Sequence, residues 1–451
     1  MRRVLLPLCV YLGACMPSPQ IDVPSRAVVL ESTQTPVNRF ATPHPVHTTK
    51  ANSDIAQDFL DLVFKLESGR ALPVFTRFEG PITVAVAGSP PPGLGSDLNR
   101  LIHRLRTEAQ IDISLARKAN ANITIQAVTR KEIRRQLPQA ACFVVPNVSS
   151  LAQYRAAKRT NRVNWTMLRE RSKLAIFLPN DASPQEVRDC LHEELAQALG
   201  PLNDLYRLPD SVFNDDNVHT VLTGFDMLIL RAYYAPELKN GMTKSQVAER
   251  IGPILARINP QGQNRSTRTH TMTPRAWINA IQSALGPGTG AVQRRVAAER
   301  ALQIASAMGW RDHRRAFSHY AMGRLTQNYD ADRARNEFVK AEQFYANSPD
   351  TELHRAYVAS QLAAHALANG QGEEALRMIG PNIGVAARYE NAALLSTLML
   401  MRAEALEISG RVSEAHTVRL DSLGWARYGF GADWAVRAKL REIASLNPFK
   451  R

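Results

Sequence analysis

His192-Glu193-Glu194-Leu195-Ala196-Gln197-Ala198-Leu199-Gly200 is the stretch on which the reading of this chain turns. Upstream of it, Ser183, Pro184 and Glu186 occupy the N-cap, first-turn and capping-box places of a helix. Val187, Cys190, Leu191, Leu195 and Leu199 give that helix an apolar stripe, and Gly200 stands where a left-handed residue would end it. A metal-binding helix needs two ligands four residues apart, with a general-base Glu directly after the first. Counting from His192, the second ligand place falls on Ala196, which cannot bind a metal. Counting from Glu193, the ligand places are Glu193 and Gln197 and the base is Glu194. Asn203 and Asp204 then stand near a third ligand place. Such oxygen donors suit a hard divalent cation and hold zinc weakly, so no cofactor is expected, although a divalent metal stays open. His192 reads as a flank or core residue of the helix.

Before this helix the pattern is that of a sheet. Residues 82–87, 122–128, 142–145 and 173–179 read as strands. Ile55, Phe59, Leu62, Val63 and Leu66 recur at helical spacing, with Gly69 as the stop, and Leu98, Leu101, Ile102 and Leu105 mark a second helix. Thr129 and Glu132 make a capping box for a short helix over 130–137. The order predicts an α+β unit over residues 54–258 with the Pro184–Gly200 helix packed on its sheet. After it, residues 204–217 have little periodicity and much Asn and Asp. Two helices follow, one over 222–234 and one capped by Thr243.

A polar stretch over 258–270, broken by Pro260 and Gly262, is the expected boundary of this unit. From 271 to 451 nearly everything reads as helix. Residues 363–375 and 403–415 resemble one another: small residues, a Gly turn, then Glu-Ala. Close-packed helix hairpins need this, because Ala lets backbones approach and Gly reverses the chain. The pattern resembles tetratricopeptide-like repeats, with a weaker copy over 320–345. An irregular bundle with two similar hairpins is the plainer alternative.

The chain begins Met1-Arg2-Arg3 with an apolar run to Ala14, too short to span a bilayer. Leu12-Gly13-Ala14-Cys15 resembles a bacterial lipobox. That resemblance implies removal of residues 1–14, lipidation of Cys15 and a periplasm-facing envelope lipoprotein. Met16 in place of Asp favours the outer membrane over the inner. A plain secretory signal with a chance Cys is the alternative. Residues 15–53 are rich in Pro, Ser and Thr and read as a flexible tether. Beyond the signal only Cys142 and Cys190 remain, free to pair in an oxidising compartment or to stay as two buried thiols.

Lys and Arg number 56 against 41 Asp and Glu, a net charge of +15. No nucleic-acid-binding signature accompanies it, so nucleic acid is not the expected partner. Arg294-Arg295, Arg300, Arg311 and Arg314-Arg315 form basic patches that suit anionic lipid, peptidoglycan or an acidic partner protein, or simply a solvated helix face.

Two family resemblances rest on these residues. The Glu193 register, Gly200, Ser211-Val212-Phe213 and Leu222-Thr223-x-x-Asp226 leading to Tyr233 together resemble a metzincin in which the zinc ligands are missing and Phe213 replaces Met. Cys190-x-x-Glu193-Glu194-x-x-Gln197-x-Leu199-Gly200, Asn203-Asp204, Ser211 to Asp215 and Gly241-Met242 resemble domain of unknown function family 2927, over roughly residues 75–257. The resemblances imply a zincin-like domain followed by an all-α repeat domain. The first reading is an inactive peptidase-like module beside a scaffold for an envelope protein partner. The second is a metal-dependent hydrolase of peptide or cell-wall material with Glu194 as base, assisted by His192 or His219. The third is a purely structural cluster of Glu193, Glu194, Gln197, Asn203 and Asp204.

Overall fold

Among the described residues, five short runs of β-branched and aliphatic residues make one sheet. They are β1 (Ile82–Gly88), β2 (Ile113–Leu115), β3 (Ile123–Val128), β4 (Phe143–Pro146) and β5 (Leu174–Pro179). Their order is β2-β1-β3-β5-β4, with only β4 antiparallel to its neighbour. The computed structural model describes Phe40 and residues 47–116, 121–268 and 271–450. Cys15, the signal segment and most of the 15–53 tether lie outside them. Among the described residues no helix is long and apolar enough to cross a membrane.

Side chains alternate across a strand, and β5 shows it. Leu174, Ile176 and Leu178 enter the large core, while Ala175 and Phe177 enter a smaller one on the other face. The large core also takes α1 (Asn52–Val63), α2 (Leu94–Thr107), α5 (Pro184–Leu199), α6 (Gly224–Tyr233) and α7 (Lys244–Ile258). The smaller core is closed by α3 (Arg130–Gln136) and α4 (Leu151–Ala157).

Among the described residues nine α-helices follow: α8 (Arg275–Leu285), α9 (Ala291–Ala307), α10 (His313–Thr326), α11 (Ala331–Ala346), α12 (Glu352–Ala368), α13 (Gly372–Arg388), α14 (Ala392–Ile408), α15 (Val412–Phe430) and α16 (Asp433–Ala444). The chain is thus a mixed α+β fold with an all-helical C-terminal region. The two similar stretches are the turns of the α12–α13 and α14–α15 hairpins. Their Gly370 and Gly410 have φ of 69° and 78°, which side chains rarely adopt. The weaker copy is the α10–α11 hairpin.

The helical region is fastened to the sheet unit by buried polar groups. Arg188 of α5 donates to Glu390 Oε2 at 3.1 Å, and Gln185 Nε2 donates to Asn391 Oδ1 at 3.2 Å. Tyr428 Oη donates to Asp97 Oδ2 at 3.0 Å. Tyr206 and Val218, from the segment between α5 and α6, sit inside two of the helical region's apolar clusters.

Several details differ from the expectations. β2 and α4 were not anticipated: β2 is three residues at a sheet edge with only Ile113 buried, and α4 is a seven-residue helix on a Ser150 cap. Ser183 caps α5 by accepting from Glu186 N at 3.2 Å, but the Glu186 carboxylate turns to Arg130, so no capping box closes. Gly200 is not left-handed; its φ is −159°. Glycine suits the position because a Cβ would stand 3.0 Å from the Tyr233 ring, a contact the ring could meet only by shifting.

Candidate functional site

Helix α5 carries the candidate residues and is held at three levels. Near its start Arg188 and Gln185 bind the helical region, as above. In its middle, Cys190 is disulfide-bonded to Cys142 beside β4, with Cα atoms 5.9 Å apart. At its end, no basic residue of its own faces the last carbonyls. Arg171 supplies the missing donors, binding Gln197 O at 2.6 Å, Ala198 O at 2.7 Å and Gly200 O. Helix C-termini present such unpaired carbonyls with partial negative charge.

The segment after α5 is clamped to α1. Asn203 Nδ2 donates to Asp61 O at 2.9 Å, and Arg207 binds Asp58 Oδ1 at 2.8 Å and Asp61 Oδ2 at 2.9 Å. Ser211-Val212-Phe213 is a tight turn fixed by Asp226, which is fully buried. Asp226 accepts from Ser211 Oγ at 2.5 Å, Val212 N at 3.1 Å and Thr223 N at 2.8 Å. The same carboxylate closes the capping box of α6. Phe213 lies in the core, and Tyr233 Oη donates to Thr76 O at 2.6 Å.

Glu193, Glu194 and Asp204 meet Glu67 and Asp215 in one acidic group. Burial, then the charges of Glu67 and Asp215, push Glu193 up to about 7. Burial and the Glu193 and Glu67 charges raise Glu194 well above the usual carboxylate range. Asp204 is raised in the same way, by burial and then by Glu67. Glu67 stands at the exposed edge, with Gln197 Nε2 3.5 Å from its Oε1. Glu194 Oε2 and Asp204 Oδ1 are buried with no hydrogen-bond partner.

Among the described residues no three His, Cys, Asp or Glu side chains are grouped to hold an ion. Gln197 and Asn203 spend their amides on Glu67 and Asp61 O. The imidazoles considered as helpers are elsewhere. His192 accepts from Leu222 N at 3.1 Å through Nδ1, and burial together with Arg104, Arg188 and Arg100 keeps it neutral. His219 lies 2.8 Å from Pro209 O, and burial beside His354 lowers it to about 4. Within the basic patches, two arginines are not free surface charges. Arg314 is buried against Trp310 and bound to Asp312 and Thr271, and Arg315 packs over Phe344.

A roomy space lies next to the acidic group, between the 206–218 segment and the helices. A cavity of about 1070 Å³ is lined by Tyr206 and Asp215 on one side and Gln282, Phe317, Tyr320 and Tyr357 on the other. Asp215 thus belongs both to the acidic group and to the cavity wall. Its Oδ2 accepts from Tyr206 Oη and Gln282 Nε2, each at 3.0 Å. Asp216 accepts from His354 Nε2 at 2.8 Å.

Residues 52–252 match the model of a family described as "Protein of unknown function (DUF2927)". The match covers the whole sheet, α5 and the 203–217 segment, and stops inside α7, leaving the helical region outside it. Comparison with curated proteins and with solved structures gave no match.

Sequence reasoning had no means of finding the cavity. Its residues are drawn from positions as far apart as Gln139, Tyr206 and Tyr357, and no local motif joins them. Arg171 was equally hidden, since a helix-capping Arg from another segment leaves no spacing signal. Asp215 stood at the end of the Ser211–Asp215 motif, which was the one available pointer.

Proposed function

We propose that this chain is a binding protein of the cell envelope, anchored by lipid on Cys15, in which a peptidase-like frame without catalytic role supports a helical scaffold that receives a protein partner. The peptidase-like frame is supported by strand β5 running into the Glu193–Gln197 helix, with the Ser211–Phe213 turn and α6 after it. Gly-turned hairpins at like spacing favour tetratricopeptide-like stacking. The observation that carries the binding role is the cavity of about 1070 Å³ beside the helical region. Pockets of this size, with aromatic walls and a few polar groups, are what ligand recognition uses.

The test is affinity capture from envelope extract with the wild-type chain, Glu194→Gln and Tyr320→Ala. The expected result is a partner held equally by the first two and lost with the third. Capture that depends on Glu194 and not on Tyr320 would contradict the reading.

Hydrolysis with Glu194 as base is the second reading, favoured by one observation: its Oε2 is buried and accepts no hydrogen bond. An oxygen left in that state carries a cost of roughly 1–3 kcal/mol, which a reacting group would justify. Cleavage of peptide or cell-wall material that disappears in Glu194→Gln is the result this reading needs.

A further inference from the structure

We infer that the groove takes an extended acidic peptide segment of a partner protein. The inference rests on the binding reading above and names the chemistry of the occupant. The cavity beside Asp215 continues into a second one of about 540 Å³, since Tyr320, Arg324, Gln327, Asn328 and Tyr357 line both. The two form one groove along the helices from α8 to α16.

Charge decides the occupant. Arg294 and Arg295 line the first cavity, Arg324 lines both and Arg335 lines the second. None of the four has a carboxylate partner among the described residues. Arg294 donates to Leu285 O and Gly286 O, at 3.1 Å and 2.6 Å. Arg295 lies 4.8 Å over the Tyr329 ring, and Arg324 donates to Tyr320 Oη at 3.2 Å. The acidic residues of the same walls are already engaged. Asp215 accepts two hydrogen bonds and is raised by burial, Asp216 is bonded to His354, and Glu442 is paired with Lys439 at 2.8 Å. The groove therefore offers uncompensated positive charge, on planar guanidinium groups that recognise carboxylates in two-point fashion.

A peptide fits better than a purely anionic polymer. The exposed side-chain amides of Gln327 and Asn328 lie in the shared middle of the groove and make no hydrogen bond within the described chain. Each carries both donor and acceptor, matching the alternating N–H and C=O of an extended backbone. Phe317, Ile281, Phe338 and Leu394 add apolar wall for side chains between the acids.

The test is fluorescence anisotropy of the full chain with a labelled peptide of about ten residues, alternating Glu and Leu, and with its Gln-Leu counterpart. The Glu peptide should bind, with affinity falling as salt rises. It should bind on the order of tenfold more weakly to Arg324→Gln/Arg335→Gln. Both arginines are exposed, so the double variant should keep the wild-type circular dichroism and melting. Equal binding of the Glu and Gln peptides would overturn the acidic occupant and leave the binding groove standing. Binding of neither peptide would overturn both. Saturation by an oligonucleotide with no response to the Glu peptide would overturn the peptide assignment.

Discussion

Glu193 is a carboxyl that folding makes a weaker acid. It ionises near 4.5 in the unfolded chain and near 7 in the folded one, because burial and the neighbouring Glu67 and Asp215 charges oppose ionisation. Between those values the folded chain holds a proton that the unfolded chain has lost. Its contribution to stability is therefore full below pH 4.5 and is lost as pH rises through about 7. His192, His219 and His313 work in the opposite direction, since each is kept neutral by burial and loses stability as pH falls below 6.5. Glu193→Gln isolates the carboxyl from these. Its stability should match the wild type at low pH and exceed it by about 3 kcal/mol above neutrality, measured by urea unfolding across that range. A difference that does not change with pH would show that Glu193 ionises normally. The residue pair Glu193–Glu194 was legible as a place of interest because helix spacing exposes it. The perturbation was not, because it depends on Glu67 and Asp215, distant in sequence.

At the scale of elements, the α5 helix and the turn before α6 account for how the site is held. Loss of the Cys142–Cys190 bond by Cys190→Ser should lower stability by about 2–4 kcal/mol through the freedom regained by the unfolded chain. Thermal unfolding with and without reductant reads it. Asp226→Ala removes the acceptor of Ser211, Val212 and Thr223 at once and leaves buried donors unpaired, costing roughly 3 kcal/mol. It should also loosen residues 211–213, seen as faster amide exchange at Val212 and Phe213. Helices and strands with long periodic runs, such as α2, α5 and β5, were readable from sequence. β2 and α4 were not, since a three-residue edge strand and a seven-residue helix carry too few positions to show a period. The Gly200 expectation shows a different limit. The glycine was recognised, but its reason is a ring from α6 standing against it, which only packing reveals.

At the scale of the molecule, the sheet unit and the helical region share buried charge. Glu390 is raised by burial, yet Arg188 at 3.1 Å and Arg100 at 3.7 Å hold against it. Removing its carboxylate by Glu390→Ala leaves those guanidiniums uncompensated in the interface, at a cost of about 3–5 kcal/mol. Calorimetry should then show the helical region and the sheet unit melting at separate temperatures. The contacts involved were invisible in the sequence, because Arg188 and Glu390 are 202 positions apart and each reads alone as a surface charge. The same holds for the groove, whose first cavity joins the 206–218 segment to the helices and whose second is drawn from positions as far apart as Tyr320 and Leu446. Its use can be separated from any role of Glu194 by amide hydrogen exchange on the full chain, with and without saturating Glu-Leu peptide. Protection on α10 and α12 around Tyr320 and Tyr357, with residues 193–204 unchanged, is the expected result. Protection confined to residues 193–204 would contradict it.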